Sequence, residues 1–220
     1  MSADAKWRLL RKREVTLPTW RGWTIIFLIA TAVGIMFIRG VHGFLAMQRP
    51  APDGVLVVEG WQADYALQLA AREVELGHYR RLYVTGGPLE SGAPLSEYGT
   101  YAELGASVLS KSGVNTNQIE AVPAPWVPQD RTFTCAVTLR DWFRARHEVP
   151  ARITVLTSGA HARRSRLLFE LAFGKEVQVG VISVPPRDYE PRRWWASSQG
   201  VRTVIGEFVA YGYARFVFSP

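Results

Sequence analysis

Short apolar runs alternate with longer amphipathic segments over most of the chain, after one long uncharged segment near its start. The apolar runs predict strands at 55–58, 81–84, 118–122, 152–156 and 177–184. The amphipathic segments predict helices at 63–76, 96–112, 132–146, 160–173 and 193–216, the last of them long or broken. Apolar strands that alternate with helices are typical of a parallel sheet covered on both faces. The pattern therefore predicts an α/β fold.

Turn-forming and capping residues mark the ends of these elements. Gly77 and Gly113 stand where a glycine commonly follows the last turn of a helix. Ser96 is suited to cap the start of the second helix of the domain, and Asp130 or Arg131 marks the start of the next one. Loops are expected at 89–95 and 123–129.

The uncharged segment runs from Gly22 to Ile38 and continues past Arg39 to Met47. A helix that spans a bilayer needs about 20 mainly apolar residues, so residues 23–47 are predicted to form a transmembrane anchor. A cleaved signal peptide and a buried core helix are the alternatives. The long charged lead-in and the lack of a small-residue cleavage site near Met47 favour the anchor.

Positive charge is concentrated at the N-terminus. The formal net charge is +7, and six of the 26 Lys and Arg residues lie within residues 1–22. Since Lys and Arg near a membrane span stay on the cytoplasmic side, we predict a basic cytoplasmic tail over 1–22, a linker over 48–54 and an extracytoplasmic domain over 55–220. That domain is close to charge balance, which argues against a nucleic-acid partner.

Several classes of site are absent from the sequence. Cys135 is the only cysteine, so no disulfide can form within the chain. The four histidines show no metal-ligand spacing, and no metal site is predicted. No Gly-x-Gly-x-x-Gly motif follows the first predicted strand, which argues against a dinucleotide fold of the usual kind. The sequence therefore identifies no cofactor.

Small and polar residues follow four of the predicted elements, and in a parallel sheet the ligand lies beyond the carboxyl ends of the strands. These residues are Glu59; Thr85, Gly86 and Gly87; Asp130, Arg131 and Thr132; and Thr157 and Ser158. Glu59 is a candidate general base, and the others are candidate ligand contacts. A solvated Glu59, a tight turn at the two glycines and an internal Asp130–Arg131 ion pair are the alternatives.

The helix that follows the fourth strand carries cations at its start. His161 and Arg164 are three residues apart and share a helix face. Cations oppose the positive end of the helix dipole unless an anion lies among them. The segment therefore predicts a pocket for a phosphate or carboxylate, held by Arg164, with His161 as acid or base. Glu59 or Glu97 would be the partner of His161, although Glu97 is also placed to cap its own helix.

The remaining chemistry is less defined. Ser158 lies outside any Gly-x-Ser-x-Gly motif, which argues against a nucleophilic serine. Trp194 and Trp195 are suited either to stack on a sugar or to pack the last helix on the sheet. Glu207 is a candidate ion-pair partner for Arg202 or Arg164.

Short motifs between Val55 and Glu207 occur in the order and spacing of a known family. The run LTSGAHARRS resembles the family's VTSxxHxxRA segment, with His161 and Arg164 on its His and Arg. Further similar motifs are Thr85-Gly86-Gly87, Ser96-Glu97, Gly113-Val114 through Ile119, and Thr132 through Ala136. The chain thus resembles the SanA/ElyC/YdcF-like envelope proteins, a family of largely undefined activity. It departs from them at Thr134-Cys135, where the family has Glu-Asn, and at Val58-Glu59-Gly60-Trp61.

The resemblance implies a Rossmann-like, three-layer α/β/α domain with one N-terminal transmembrane helix in a bacterial inner membrane. It also implies a role in cell-wall or envelope polysaccharide biology. With the residues above, it predicts a membrane-anchored protein that binds or hydrolyses an anionic glycan or a phosphate-containing or carboxylated lipid-linked precursor. A non-catalytic sensing or recruiting module and a nucleotide-dependent transferase are the alternatives.

Overall fold

The computed structural model of the chain describes residues 16–90 and 93–219. Most of the predicted basic tail lies outside these residues. The described residues form two compact units, which divide between Ile38 and Arg39. The helices are α1 (Trp20–Leu45), α2 (Asp64–Glu75), α3 (Tyr101–Lys111), α4 (Arg131–Ala145), α5 (Ala162–Phe173) and α6 (Ser198–Phe216). The strands are β1 (Val55–Glu59), β2 (Leu82–Gly86), β3 (Ile119–Pro123), β4 (Arg152–Ser158) and β5 (Gln178–Val184).

The five strands form one parallel sheet in the order β3-β2-β1-β4-β5. From β1 the chain adds β2 and then β3 on one side of the sheet. It then crosses back to place β4 and β5 on the other side, so the strand order reverses between the neighbouring strands β1 and β4. In such sheets a crevice opens at this point, beyond the carboxyl ends of the strands. The predicted parallel α/β sheet is therefore confirmed.

Two apolar layers hold helices against the faces of the sheet. On one face, Leu56 and Val84 are buried among residues of α2 and α3 such as Leu67 and Leu109. On the other face, Val57 and Val155 are buried among residues of α4 and α5 such as Phe143 and Phe169. Alternation along the strands explains this division, because successive side chains point to opposite faces. The domain is therefore a three-layer α/β/α structure of the Rossmann-like kind.

The start of α3 differs from the prediction. The helix begins at Tyr101 rather than just after Ser96, and its N-cap is Thr100. The Thr100 hydroxyl accepts from the Glu103 amide, and the Glu103 carboxylate accepts from the Thr100 amide, which is a complete capping box. Pro88 pairs with Thr100 in an antiparallel bridge. A 3₁₀ turn at Ala93–Leu95 and the irregular residues 96–99 precede this bridge, in place of the predicted first turn of the helix.

The predicted C-terminal helix is broken. A 3₁₀ segment at Pro191–Ala196 precedes α6, and the Ser197 side chain caps α6 by accepting from the Gly200 amide. A second 3₁₀ turn, Gly159–His161, separates β4 from α5. His161 therefore lies in the turn between strand and helix, one residue before α5 begins.

Helix α1 is long and apolar enough to span a membrane, with a mean hydropathy of 2.2 over its most apolar window. Only 6% of that window is buried, which does not fit the alternative of a core helix. The last turns of α1 belong to the second unit. There Val41 and Leu45 are buried beside Trp194 and Val204.

Residues of the predicted linker lie along the outer edge of β5. Arg49 forms an antiparallel bridge with Val181, with backbone hydrogen bonds of 2.9 and 2.8 Å. The Gln48 side chain bonds both the amide and the carbonyl of Ser183. A Cβ at Gly180 would lie 2.4 Å from the Ala51 nitrogen, so this approach requires glycine there.

Candidate functional site

A cavity of about 610 Å³ opens at the carboxyl edge of the sheet. Its floor comes from the ends of β1 and β2 and from the first turns of α4 and α5, and α6 contributes to its wall. Its polar lining comprises Glu59, Thr85, Glu90, Gln129, Asp130, Arg131, Thr132, Cys135, His161 and Arg164. Aromatic residues cover much of the rest, namely Trp61, Tyr101, Trp126, Tyr213 and Phe218. A polar floor under aromatic walls is typical of a small-molecule site.

Glu59 and Thr85 occupy adjacent positions on β1 and β2. They are paired in the parallel register, and their exposed fractions are 2% and 1%. By alternation they point to the face covered by α4 and α5. The Ser165 hydroxyl donates to Glu59 Oε2 over 3.1 Å. Glu59 is therefore a buried carboxylate at a strand end rather than the solvated loop residue of the alternative prediction.

His161 lies between two carboxylates. Its Nδ1 is 2.8 Å from Glu207 Oε1, and its Nε2 is 3.7 Å from Glu59 Oε1. The ring also contacts Trp61 edge-on, with 5.2 Å between centroids. The distance to Glu59 is too long for a direct hydrogen bond. One ring nitrogen is thus fixed by Glu207, and the other faces the pocket beside Glu59.

Arg164 is held by the same carboxylate of α6. Its Nε donates to Glu207 Oε2 over 2.8 Å, and its Nη2 donates to Oε1 over 3.0 Å. Oε1 therefore accepts from both Arg164 and His161. Such a two-point pair fixes the geometry of both partners. These ion pairs join the start of α5 to the middle of α6.

Opposite charges outweigh burial in setting the protonation of the cluster. Burial lowers the pKa of His161, but the charge of Glu59 and the bond to Glu207 raise it, to about 9 overall. Burial raises the pKa of Glu207, but hydrogen bonds from His161 and Arg164 lower it to about 2. The pKa of Glu59 is also lowered, because His161 and its other partners oppose the effect of burial. At neutral pH the cluster therefore holds an imidazolium, a guanidinium and two carboxylates.

Two buried polar atoms in the pocket wall have no hydrogen-bond partner among the described residues. They are the Thr85 hydroxyl and His161 Nε2. A buried polar atom left without a partner costs about 1–3 kcal/mol. With His161 protonated, both groups are able to donate to an oxygen placed in the pocket. This pair of unused donors is the clearest mark of a ligand in the described chain.

The predicted ligand contacts separate into two groups. Thr85, Gly86, Gly87, Asp130, Arg131, Thr132 and Arg164 line the cavity. Thr157 and Ser158 are absent from its lining, and both bond the Gln62 side chain. The Gln62 amide donates to Thr157 over 3.2 Å, and Ser158 donates to the Gln62 carbonyl. Arg131 is paired with Glu90 across the loop that follows β2, rather than with Asp130.

Only two of the three predicted acid–base residues lie in the pocket. Glu59 and His161 meet in the pocket, whereas Glu97 is exposed and outside the cavity lining. Glu97 precedes Thr100, and the cap of α3 is supplied by Thr100 and Glu103 instead. The structure therefore brings only Glu59 close to His161, and adds Glu207 on its other side.

Several residues of the site were not among the sequence-predicted site residues. Glu207 was considered as a partner of Arg164, but nothing in its local sequence placed it against His161. Cys135 lies in the cavity wall, and burial raises the pKa of its thiol to about 12. At Cys135 the chain also departs from the motif of the family that it resembles. This departure is the sequence feature from which a place for Cys135 in the site could have been predicted.

Among the described residues, no group of three or more His, Cys, Asp or Glu side chains is placed to hold a metal ion. Comparison of the chain with models of protein families, with curated proteins and with solved structures finds no match.

Proposed function

We propose that this chain is a membrane-anchored cell-envelope protein whose pocket binds, and hydrolyses, a phosphorylated or carboxylated substrate. The observation that carries the proposal is the pair of unpartnered donors, Thr85 Oγ1 and His161 Nε2, beside the buried carboxylate of Glu59. Two donors and a base around one cavity suit an ester of a phosphoryl or carboxyl group. The substrate class we propose is an anionic glycan or a lipid-linked envelope precursor.

The proposed roles follow from the geometry and charge of the cluster. The leaving oxygen of the substrate accepts from Thr85 and from the His161 imidazolium, which stabilises negative charge as it develops. Glu59 accepts a proton from the attacking water, and His161 protonates the leaving oxygen as its bond to phosphorus or carbon breaks. Glu207 holds the ring in place through Nδ1, and Arg164 holds Glu207. In this proposal Arg164 positions the acid rather than binding the anion itself.

Membership of the SanA/ElyC/YdcF-like family remains our proposal. It is supported by the way the motif residues meet in space. His161 and Arg164 of one motif lie in the same cavity wall as Thr85, Gly86 and Gly87 of another. Residues that are far apart in sequence are thus gathered at one strand edge, as a shared site requires.

The proposed location is a bacterial inner membrane, crossed once by α1, with the N-terminus cytoplasmic. Support comes from the length and exposed apolar surface of α1 and from the six Lys and Arg residues in the first 22 residues. The domain would then act on the extracytoplasmic side, where nucleotide cofactors are scarce. This argues against the nucleotide-dependent transferase.

A non-catalytic binding module is the second candidate function. One observation favours this candidate: neither Ser158 nor Cys135 is in a state to attack a substrate as a nucleophile. Ser158 is occupied by Gln62, and the Cys135 thiol is neutral because burial raises its pKa to about 12. Hydrolysis would then depend entirely on an activated water.

Calorimetry with inorganic phosphate and turnover of a phosphate ester test both candidates on the purified full chain in detergent. We expect binding that is weakened by Thr85→Val and by His161→Gln. His78→Gln is the matched control, since His78 also contacts a glutamate but is exposed on the far end of α2. Turnover that requires Glu59 supports the enzyme, and binding without turnover supports the module. Binding that is unchanged in both pocket variants contradicts the proposal.

A further inference from the structure

The outward face of α6 carries a continuous apolar stripe. It consists of Val201, Ile205, Val209 and Phe216, which recur at the spacing of one helix face. We call this set the outer stripe. Its exposed fractions are 40%, 40%, 64% and 83%, in that order. A contiguous apolar patch of this kind on a folded domain marks an interaction surface rather than chance exposure.

Arginines lie on α6 itself and in the 3₁₀ segment that precedes it. The exposed charged residues of segment 191–219 are Arg192, Arg193, Arg202 and Arg215. Glu207 is the one acidic residue of this segment, and it is already paired with His161 and Arg164. An apolar helix face flanked by arginines is the composition of helices that lie in the headgroup region of anionic membranes.

The buried side of α6 contacts the residues that directly follow the apolar span. Val204 is buried in one cluster with Val41 and Leu45 of α1. The Phe44 ring packs edge-on against Tyr211, with 5.6 Å between centroids. Residues 41–45 are therefore fixed to α6 at the point where the apolar segment ends. With the apolar segment in a bilayer, residues 41–45 follow it directly at the level of the lipid headgroups, and these are the residues that α6 contacts.

We propose that the outer stripe of α6 inserts into the interfacial layer of an anionic lipid bilayer. The inference rests on the anchoring role proposed for α1. A second copy of the chain is a poorer occupant, because two such faces would bring their arginines together without an acidic residue to pair them. Anionic lipid headgroups supply both the apolar layer and the opposite charge. The domain is then held to the membrane at two places, by α1 and by α6.

Lipid quenching of a fluorescent label tests this proposal on the full chain. A bimane label is attached to Val209→Cys in a Cys135→Ala background, and the protein is inserted into phosphatidylcholine–phosphatidylglycerol vesicles that contain lipids spin-labelled near the headgroup. Leu76→Cys, on an exposed residue after α2, is the matched control. Ile29→Cys, within α1, reports on the anchor itself and is measured with lipids spin-labelled along the acyl chain, because the middle of a hydrocarbon layer about 30 Å thick lies beyond the reach of a headgroup label. We expect quenching at 209 and 29, none at 76, and loss of quenching at 209 when Ile205→Asp is added.

Each outcome decides the proposal. Quenching at 29 without quenching at 209 overturns the α6 inference and leaves the anchor intact. Loss of quenching at both positions overturns the anchor, and the α6 inference with it. A label at 209 that is shielded from water but insensitive to lipid, in a chain that light scattering shows to be a dimer, assigns the outer stripe to a second copy and overturns the inference. Phosphate binding in each labelled variant is compared with that of the Cys135→Ala parent, so that an effect on α6 stays separate from the pocket proposal.

Discussion

The Arg164 guanidinium is bound at two points by Glu207, from the first turn of α5 to the middle of α6, and the same carboxylate accepts from His161. This relationship changes the role of Arg164. An arginine at a helix start would bind an anionic ligand if its donors were free, but here two of its nitrogens are committed. Arg164 lines the cavity with part of its guanidinium already paired, and His161 adds a ring nitrogen, Nε2, that has no hydrogen-bond partner among the described residues.

Glu207→Gln is expected to destabilise the domain. It leaves Arg164 partly buried beside a neutral amide, and removing one member of a buried pair costs about 3–5 kcal/mol. The measurement is urea unfolding of the full chain in detergent. Glu207→Gln combined with Arg164→Met should recover part of the loss, since no unpaired charge then stays buried. A single variant as stable as the parent protein would contradict the ion pair as described.

Stability is expected to be highest between about pH 4.5 and 6.5 and to fall on both sides. Folding raises the pKa of His161 from 6.5 to about 9, so its contribution is complete below 6.5 and is lost as the pH rises toward 9. Folding lowers the pKa of Glu207 from 4.5 to about 2, so its contribution is complete above 4.5 and is lost as the pH falls toward 2. Unfolding free energies measured across this range, with His161→Gln as control, check both limbs. A flat profile above pH 6.5 would show that His161 is not the imidazolium we describe.

Glu59→Gln is expected to lower the pKa of His161, because the charge of Glu59 is the largest contribution that raises it. Phosphate binding by the parent protein should weaken as the pH rises through about 9. In the variant, the same weakening should occur at a lower pH. The pH dependence of binding, measured by calorimetry, provides the check. Glu97→Gln is the comparison, and a shift of the same size in that variant would remove Glu59 from its proposed place.

Gly86 and Gly87 are expected to respond differently to alanine. A Cβ at Gly86 would lie 2.7 Å from Tyr101 Cβ and 2.9 Å from the Ala102 nitrogen, so Gly86→Ala should force β2 and α3 apart and destabilise the fold. At Gly87 the nearest atom would be the Pro125 oxygen at 3.8 Å, so Gly87→Ala should keep the parent stability. Because Gly87 lines the cavity, its variant should weaken phosphate binding alone. Thermal unfolding and calorimetry on the two variants separate these effects.

Much of the fold follows from local patterns in the sequence. All five strands contain an apolar run, and glycines with positive φ at 77 and 113 follow α2 and α3 as predicted. The predicted start of α3 is too early, because Ser96 is also a residue type that commonly caps a helix. The spacing of Thr100 and Glu103 also fits a capping box, and the backbone bridge between Pro88 and Thr100 selects it.

The sequence predicts less of the site than of the fold. Contacts between distant segments decide which polar residues line the cavity. Nothing local to Thr157 and Ser158 reveals that both bond Gln62, more than 90 residues earlier in the chain, and that neither lines the cavity. Glu207 is 43 residues from Arg164, and the sequence offers several arginines as its partner. The chemistry of each residue could be predicted, but the pairing depends on how α6 packs.

The bridge between Arg49 and Val181 has a mechanical consequence. Since the chain that leaves α1 is hydrogen-bonded along β5, a pull on the N-terminal segment loads the sheet in shear instead of peeling away a loose end. Detaching the residues that follow α1 therefore requires both backbone hydrogen bonds between Arg49 and Val181 to break.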